Sequence, residues 1–107
     1  MDHSPQLKSE EVRALCQAVC LLQSEEECYR FFEDICTISE IKSIAQRLSV
    51  ARMLDGEATY QEISKATGAS TATISRVNRC LQYGSGGYRL VLDRLIKQDE
   101  KAQGGEE

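Results

Sequence analysis

The sequence predicts an all-α fold of about six helices, and three observations carry that expectation. Leu, Ile, Val, Ala, Glu, Gln, Arg and Lys dominate from Ser9 to Asp99, tryptophan is absent and Pro5 is the one proline. That mixture favours helix over sheet. Apolar residues recur at helical spacing through most of the chain. A Ser or Thr is followed three residues later by Glu at Ser24/Glu27, Thr37/Glu40 and Thr59/Glu62, the signature of a capping box at a helix start. With 107 residues, one compact module with a modest core is expected, not a two-lobed enzyme cleft.

Taken in order, residues 1–8 carry Pro5 and the single histidine, His3, without apolar periodicity; a flexible arm is expected, with His3 inert. From Ser9 a helix is signalled by Glu10 and Glu11 in its first turn and by Val12, Leu15, Cys16, Val19 and Leu22. Ala14, Ala18, Cys20 and Leu21 make it apolar around much of its circumference, which in so small a protein predicts a subunit interface. Ser24 starts a second helix with Cys28, Phe31, Phe32 and Ile35 at helical spacing. Thr37 starts a third, whose stripe is Ile41, Ile44, Ala45, Leu48 and Ala51. Asp55-Gly56 should end it near Leu54, the glycine taking the left-handed conformation. Residues 9–98 are read as the folded domain and 99–107 as a flexible acidic tail.

Five cysteines (Cys16, Cys20, Cys28, Cys36, Cys80) form no C-x-x-C pair and do not match structural zinc spacing. Reduced thiols in an apolar core or interface are expected, with no metal site. No nucleophile, base or paired-carboxylate constellation assembles, so neither enzyme activity nor a cofactor is expected. No 18-residue apolar run and no secretory layout occur, which predicts a cytoplasmic protein without a membrane partner.

The formal net charge is −4, but it is unevenly spread. Residues 1–36 hold three basic and eight acidic side chains, net −5, whereas residues 60–98 hold six basic and two acidic, net +4. The field around a contacting surface matters more for steering than the total. The positive segment begins with Tyr60 to Leu81, YQEISKATGASTATISRVNRCL, two short amphipathic helices joined at Thr67-Gly68-Ala69. Counting from Tyr60, the glycine is ninth, and Ile63, Ala69, Ile74 and Val77 fall at the fourth, tenth, fifteenth and eighteenth places. That is the spacing of a helix-turn-helix, in which glycine permits the tight reversal; a plain helical hairpin produces it too. Ser70 would cap the second helix. Thr71, Ala72, Ser75, Arg76 and Arg79 then lie on its outer face, small residues at the N-terminal end and arginines beyond, as phosphate and base-edge contacts require. Gln61, Lys65 and Thr73 complete the candidate DNA-binding set; the alternative is a solvated basic face. Tyr83 to Gly87 reads as a flexible link before a last helix bearing Tyr88, Val91, Leu92 and Leu95.

With GASTATISRVNRCL and the preceding helices in view, residues 10–95 resemble the Trp-repressor superfamily, most of all its YerC/YecD group of Trp-repressor-like proteins. The repressor run G-A-x-x-A-T-I-[ST]-R is nearly reproduced from Gly68 to Arg76. The resemblance implies a six-helix subunit interlocked with a second copy through its N-terminal helices. It also implies that Arg47 and Arg76 match the two arginines that sandwich the repressor's indole ligand. Val77 stands where the repressor has a glycine against that ring, and Cys80 where it has a serine near the ligand's amino group. A valine fills indole space and a lost hydroxyl removes an ammonium partner, which costs about 1–3 kcal/mol. Tryptophan is therefore not the expected effector, and the identity of any small-molecule effector at Arg47, Arg76, Val77 and Cys80 stays open. The function expected is sequence-specific binding of double-stranded DNA by a homodimeric transcriptional regulator. The alternative is a helical dimeric adaptor without sequence-specific DNA binding.

Overall fold

The computed structural model describes residues 5–104 and contains six α-helices, α1 Glu10–Cys20, α2 Glu25–Ile35, α3 Ile38–Asp55, α4 Tyr60–Thr67, α5 Thr71–Tyr83 and α6 Gly87–Gly104. His3 and the outermost part of the expected arm, like residues 105–107, lie outside the described residues. The chain divides into two compact units, one reaching Ile41 and the other beginning at Lys42.

In the first unit Pro5–Leu7 forms one 3-10 turn within the stretch expected to be an open arm. Each helix start is capped. The Ser9 hydroxyl accepts from the Val12 N–H and that of Ser24 from Glu27 N–H, both at 3.1 Å. Glu27 reaches back one residue further than a capping box requires and accepts from the Gln23 N–H at 2.9 Å. Thr37 and Glu40 form the reciprocal pair, at 3.1 and 2.8 Å. The backbone N–H of Thr37 holds the Glu40 carboxyl below its usual pKa, because the bond favours the ionised form. Phe31 and Phe32 meet edge to face with ring centroids 5.6 Å apart. Neither α1 nor α2 contains a buried residue.

The second unit has a core of Val50, Ala51, Ile63, Ala69, Ile74, Val77 and Leu92, with Leu48, Met53, Leu54, Leu81, Tyr88 and Leu95 packed against it. The stripe expected for α3 is met in part: Ala51 is buried and Leu48 packs against the core, whereas Ile44 is 54% exposed and Val50, outside the stripe, is buried. Apolar residues occur on several sides of α3, so periodicity alone does not choose the side.

The end of α3 is also built differently. The left-handed residue is Glu57 (φ 65°), not Gly56. Ala58 N–H donates to the Met53 carbonyl and Glu57 N–H to Leu54, both at 3.0 Å. These are the two bonds of a Schellman motif, with Glu57 in the position that usually belongs to glycine. Between α5 and α6 only Gly84, Ser85 and Gly86 are left. A Cβ on Gly84 would collide with the Cys80 carbonyl, so this position accepts only glycine. The 99–107 stretch expected to be a loose tail is helical as far as Gly104. Arg89 of α6 donates to both carboxylate oxygens of Asp55 at 2.7 and 2.9 Å and to Asp93. That guanidinium pulls the Asp55 pKa down, and the two carboxylates raise that of Arg89.

The cysteines are free, but none is buried: Cys16, Cys20 and Cys80 are exposed and Cys28 and Cys36 half-buried. The core reading of these thiols is thereby corrected. Among the described residues no helix is long and apolar enough to cross a membrane.

Candidate nucleic-acid interface

The site is built from α4, the turn Gly68 to Ser70, and α5. Thr59 and Glu62 form a full capping box at the start of α4. The backbone N–H of Thr59 keeps the Glu62 carboxyl below its usual pKa. At the other end Gly68 is left-handed (φ 75°) and its N–H donates to Ser64 at 2.8 Å. Thr67 staples the reversal: its hydroxyl donates to the Ile63 carbonyl at 2.7 Å and accepts from Ala69 N–H at 3.1 Å. Gln46 of α3 satisfies the Thr67 carbonyl at 3.1 Å, one of the orphan acceptors at a helix C-terminus. All four expected wedge positions, Ile63, Ala69, Ile74 and Val77, are at most 2% exposed.

Ser70 caps α5, accepting from the Thr73 N–H at 3.1 Å. The N–H groups of Thr71 and Ala72 have no partner among the described residues, and the helix dipole adds partial positive charge at this end. Gln61, Lys65, Ser70, Thr71, Ala72, Ser75, Arg76 and Arg79 are all exposed, and Thr73 is half-buried. Lys65, Arg76 and Arg79 make no ion pair among the described residues. Arg52 and Arg89 of the same unit, by contrast, are engaged with Asp99 and with Asp55 and Asp93. The free cations of this unit therefore include those expected to meet DNA.

Arg47, Arg76, Val77 and Cys80 come together around a cleft of about 250 Å³. Sequence reasoning missed Ser43, Gln46 and Tyr88, which complete its wall. Ser43 and Arg47 are one helical turn apart, and the hydroxyl accepts from the guanidinium at 3.1 Å; helical spacing from Arg47 could have found it. Nothing in the sequence points to Tyr88. Val77 is 2% exposed, so its side chain belongs mainly to the core and forms the cleft floor.

The Trp repressor protein family profile matches residues 10–96. The chain belongs to the Trp repressor family. Relatives agree with that assignment along nearly the whole length. The uncharacterized protein YerC of Bacillus subtilis is 55% identical over 94 residues, spanning 88% of this chain and 89% of YerC. A crystal structure of a TrpR-like protein from Eubacterium eligens superposes with a TM-score of 0.83 at 53% identity, covering 86% of this chain and 95% of that one. A Staphylococcus aureus chain, a Trp repressor by provisional description, gives 0.84 at 45%, covering 90% and 96%. The Trp repressor family is one of helix-turn-helix regulators and not of enzymes. In a Trp-repressor-type subunit α4 and α5 are the helix-turn-helix, and α5 is its second helix.

Proposed function

We propose that this protein is a homodimeric, sequence-specific DNA-binding transcriptional regulator of the cytoplasm that does not respond to tryptophan. The observation that carries the reading is the start of α5. There, two backbone N–H groups without a partner among the described residues and the small exposed side chains of Ser70, Thr71 and Ala72 share the capped end of the helix, with exposed Ser75 and Arg79 further along it. Small residues let the helix sink into the major groove, the N–H groups receive a phosphate, and Arg79 reaches a phosphate or a guanine edge. Gln61 and Lys65 of α4, with Thr73 and Arg76, extend the contact to the backbone. The apolar but unburied α1 and α2 support pairing with a second copy. Two reading heads would then lie roughly 34 Å apart, the spacing used by dimeric helix-turn-helix proteins, the Trp repressor among them.

Gel shift against genomic fragments at two salt concentrations tests this. Expected are retention of a minority of fragments and a steep loss of affinity between roughly 50 and 200 mM salt. Arg79→Ala should weaken retention about tenfold or more. Salt-independent behaviour without fragment preference would instead favour a protein-binding adaptor.

A further inference from the structure

The bonds around Thr67 carry an inference about what aims the helix-turn-helix. Three hydrogen bonds meet at this half-buried residue. Its hydroxyl donates to the Ile63 carbonyl at 2.7 Å and accepts from the Ala69 N–H at 3.1 Å. Its carbonyl accepts from the side-chain amide of Gln46, itself half-buried in α3, at 3.1 Å. Thr67 is the last residue of α4, and Gly68, Ala69 and Ser70 alone lie between it and the start of α5. A displacement of Thr67 is therefore passed almost directly to Thr71 and Ala72, the exposed residues that open α5.

The other contacts that hold α3 to these helices are of a different kind. Val50 and Ala51 share the core with Ile63, Ala69, Ile74 and Val77. Burial of apolar surface is non-directional, so it holds elements together more firmly than it fixes their angle. A hydrogen bond weakens steeply once its angle is lost. Among the described residues, Gln46 supplies the side-chain hydrogen bond from α3 to the helix-turn-helix; Asp55 and Arg52 of α3 pair with Arg89 and Asp99 of α6 instead. At the far end of α4, the Tyr60 hydroxyl accepts from Asn78 of α5 at a longer 3.4 Å and is exposed. The turn is thus the better-held end.

We infer that Gln46 and Thr67 form a polar brace that sets the angle at which α5 is presented, and that through this angle they govern DNA specificity. Both are positioning residues, outside the set offered to DNA. The specificity half rests on the DNA-binding reading; the brace does not. Base-edge contacts need side chains placed to within about 0.5 Å, whereas attraction to phosphates is long-ranged and carries no sequence information. A loosened brace should therefore weaken binding to a preferred site more than to arbitrary duplex.

The test uses the full chain with Gln46→Met, which keeps the length and loses the donor, and Thr67→Val, which keeps the shape and loses the hydroxyl. Thr67→Ser is the conservative control. Without DNA, the Gly68 and Ala69 amides should exchange with solvent deuterium about fivefold faster in Gln46→Met and Thr67→Val. The Leu92 amide should not change, and Thr67→Ser should stay within about twofold of the parent. Unaltered exchange at the turn in Gln46→Met overturns the brace. Titration then compares a genomic fragment retained by the parent with a random-sequence duplex of the same length. The ratio of the two affinities should fall about fivefold in Gln46→Met, with random-duplex binding and the melting temperature close to those of the parent. Thr67→Ser should restore the ratio that Thr67→Val loses. Equal weakening on both duplexes, or an unchanged ratio beside quickened exchange, overturns the specificity half. Absence of all DNA retention by the parent removes the DNA reading and the specificity half together, and the exchange measurement alone judges the brace.

Discussion

The two units solve the burial of apolar side chains in opposite ways. From Lys42 onward, α3 to α6 enclose seven buried residues. Up to Ile41 the helices are as well capped, yet α1 and α2 bury nothing, and Leu15 and Val19 stay 42% and 38% exposed. Capping fixes where a helix begins but supplies no more than about 1–2 kcal/mol at each site, far less than a core. A unit with caps and no core is completed by something else, whereas the unit bearing the helix-turn-helix closes on its own side chains. On the proposed function, the difference separates a reader from the part that positions a second reader.

Substitution in the two places should therefore fail differently. Ile74→Ala removes a fully buried side chain from the middle of the α4, α5 and α6 contact. It should cost about 2–5 kcal/mol, seen as a large fall in the midpoint of urea unfolding. If Ile74→Ala melts like the parent, the core assigned to this unit is wrong. Leu15→Glu combined with Val19→Glu leaves that core untouched and sets two charges on the unburied side of α1. Sedimentation equilibrium should show the dimer weakened about 100-fold, close to 3 kcal/mol. An unchanged mass would mean that α1 is not the pairing surface.

Arg89 tests how the core-bearing unit is tied at its edge, with an effect smaller than either. Arg89→Ala frees Asp55 and Asp93 and should lower the melting temperature by a few degrees near neutral pH. The folded Asp55 has a depressed pKa, so its stabilisation is complete above the unfolded value of about 3.9 and is lost as pH falls through the folded one. The gap between parent and variant should accordingly narrow from pH 7 to about pH 3. Glu40 and Glu62 titrate in the same direction, but they are common to both proteins and drop out of the difference. A gap that stays constant with pH would show that the bidentate pair contributes nothing through the carboxylate.

How far these features were legible depended on whether the signal was local. Ser9, Ser24, Thr37, Thr59 and Ser70 were readable as helix starts because a cap needs only a hydroxyl and a donor three residues on. Ile63, Ala69, Ile74 and Val77 were readable because a helix-turn-helix ties side-chain burial to a fixed count across one glycine. The buried side of α3 was readable only in part. Ala51 and Leu48 lie on the expected stripe, but apolar residues fall on several sides of the helix, and the choice of Val50 over Ile44 is made by α4, α5 and α6. Ser43, Gln46 and Tyr88 escaped for the same reason. A cleft between three helices leaves no pattern in any one of them. The extent of α6 was missed because polar residues past Gln98 carry no apolar stripe, although helix propensity there is good.

The end of α3 shows how local chemistry can mislead as well as inform. Gly56 stands beside an acidic residue at a helix terminus and reads as the left-handed cap, yet the positive φ belongs to Glu57 one position later. Both Schellman bonds depend on it, since the Ala58 N–H can reach the Met53 carbonyl only when the preceding residue turns left. An L-residue pays about 1–2 kcal/mol for that conformation, and glycine returns part of the gain through its larger unfolded-state entropy. Glu57→Gly should consequently stabilise the protein by about 0.5–1 kcal/mol, raising the melting temperature slightly. If Glu57→Gly destabilises instead, the Glu57 side chain makes a contact worth more than the strain, and the residue is held there by something other than the fold of α3.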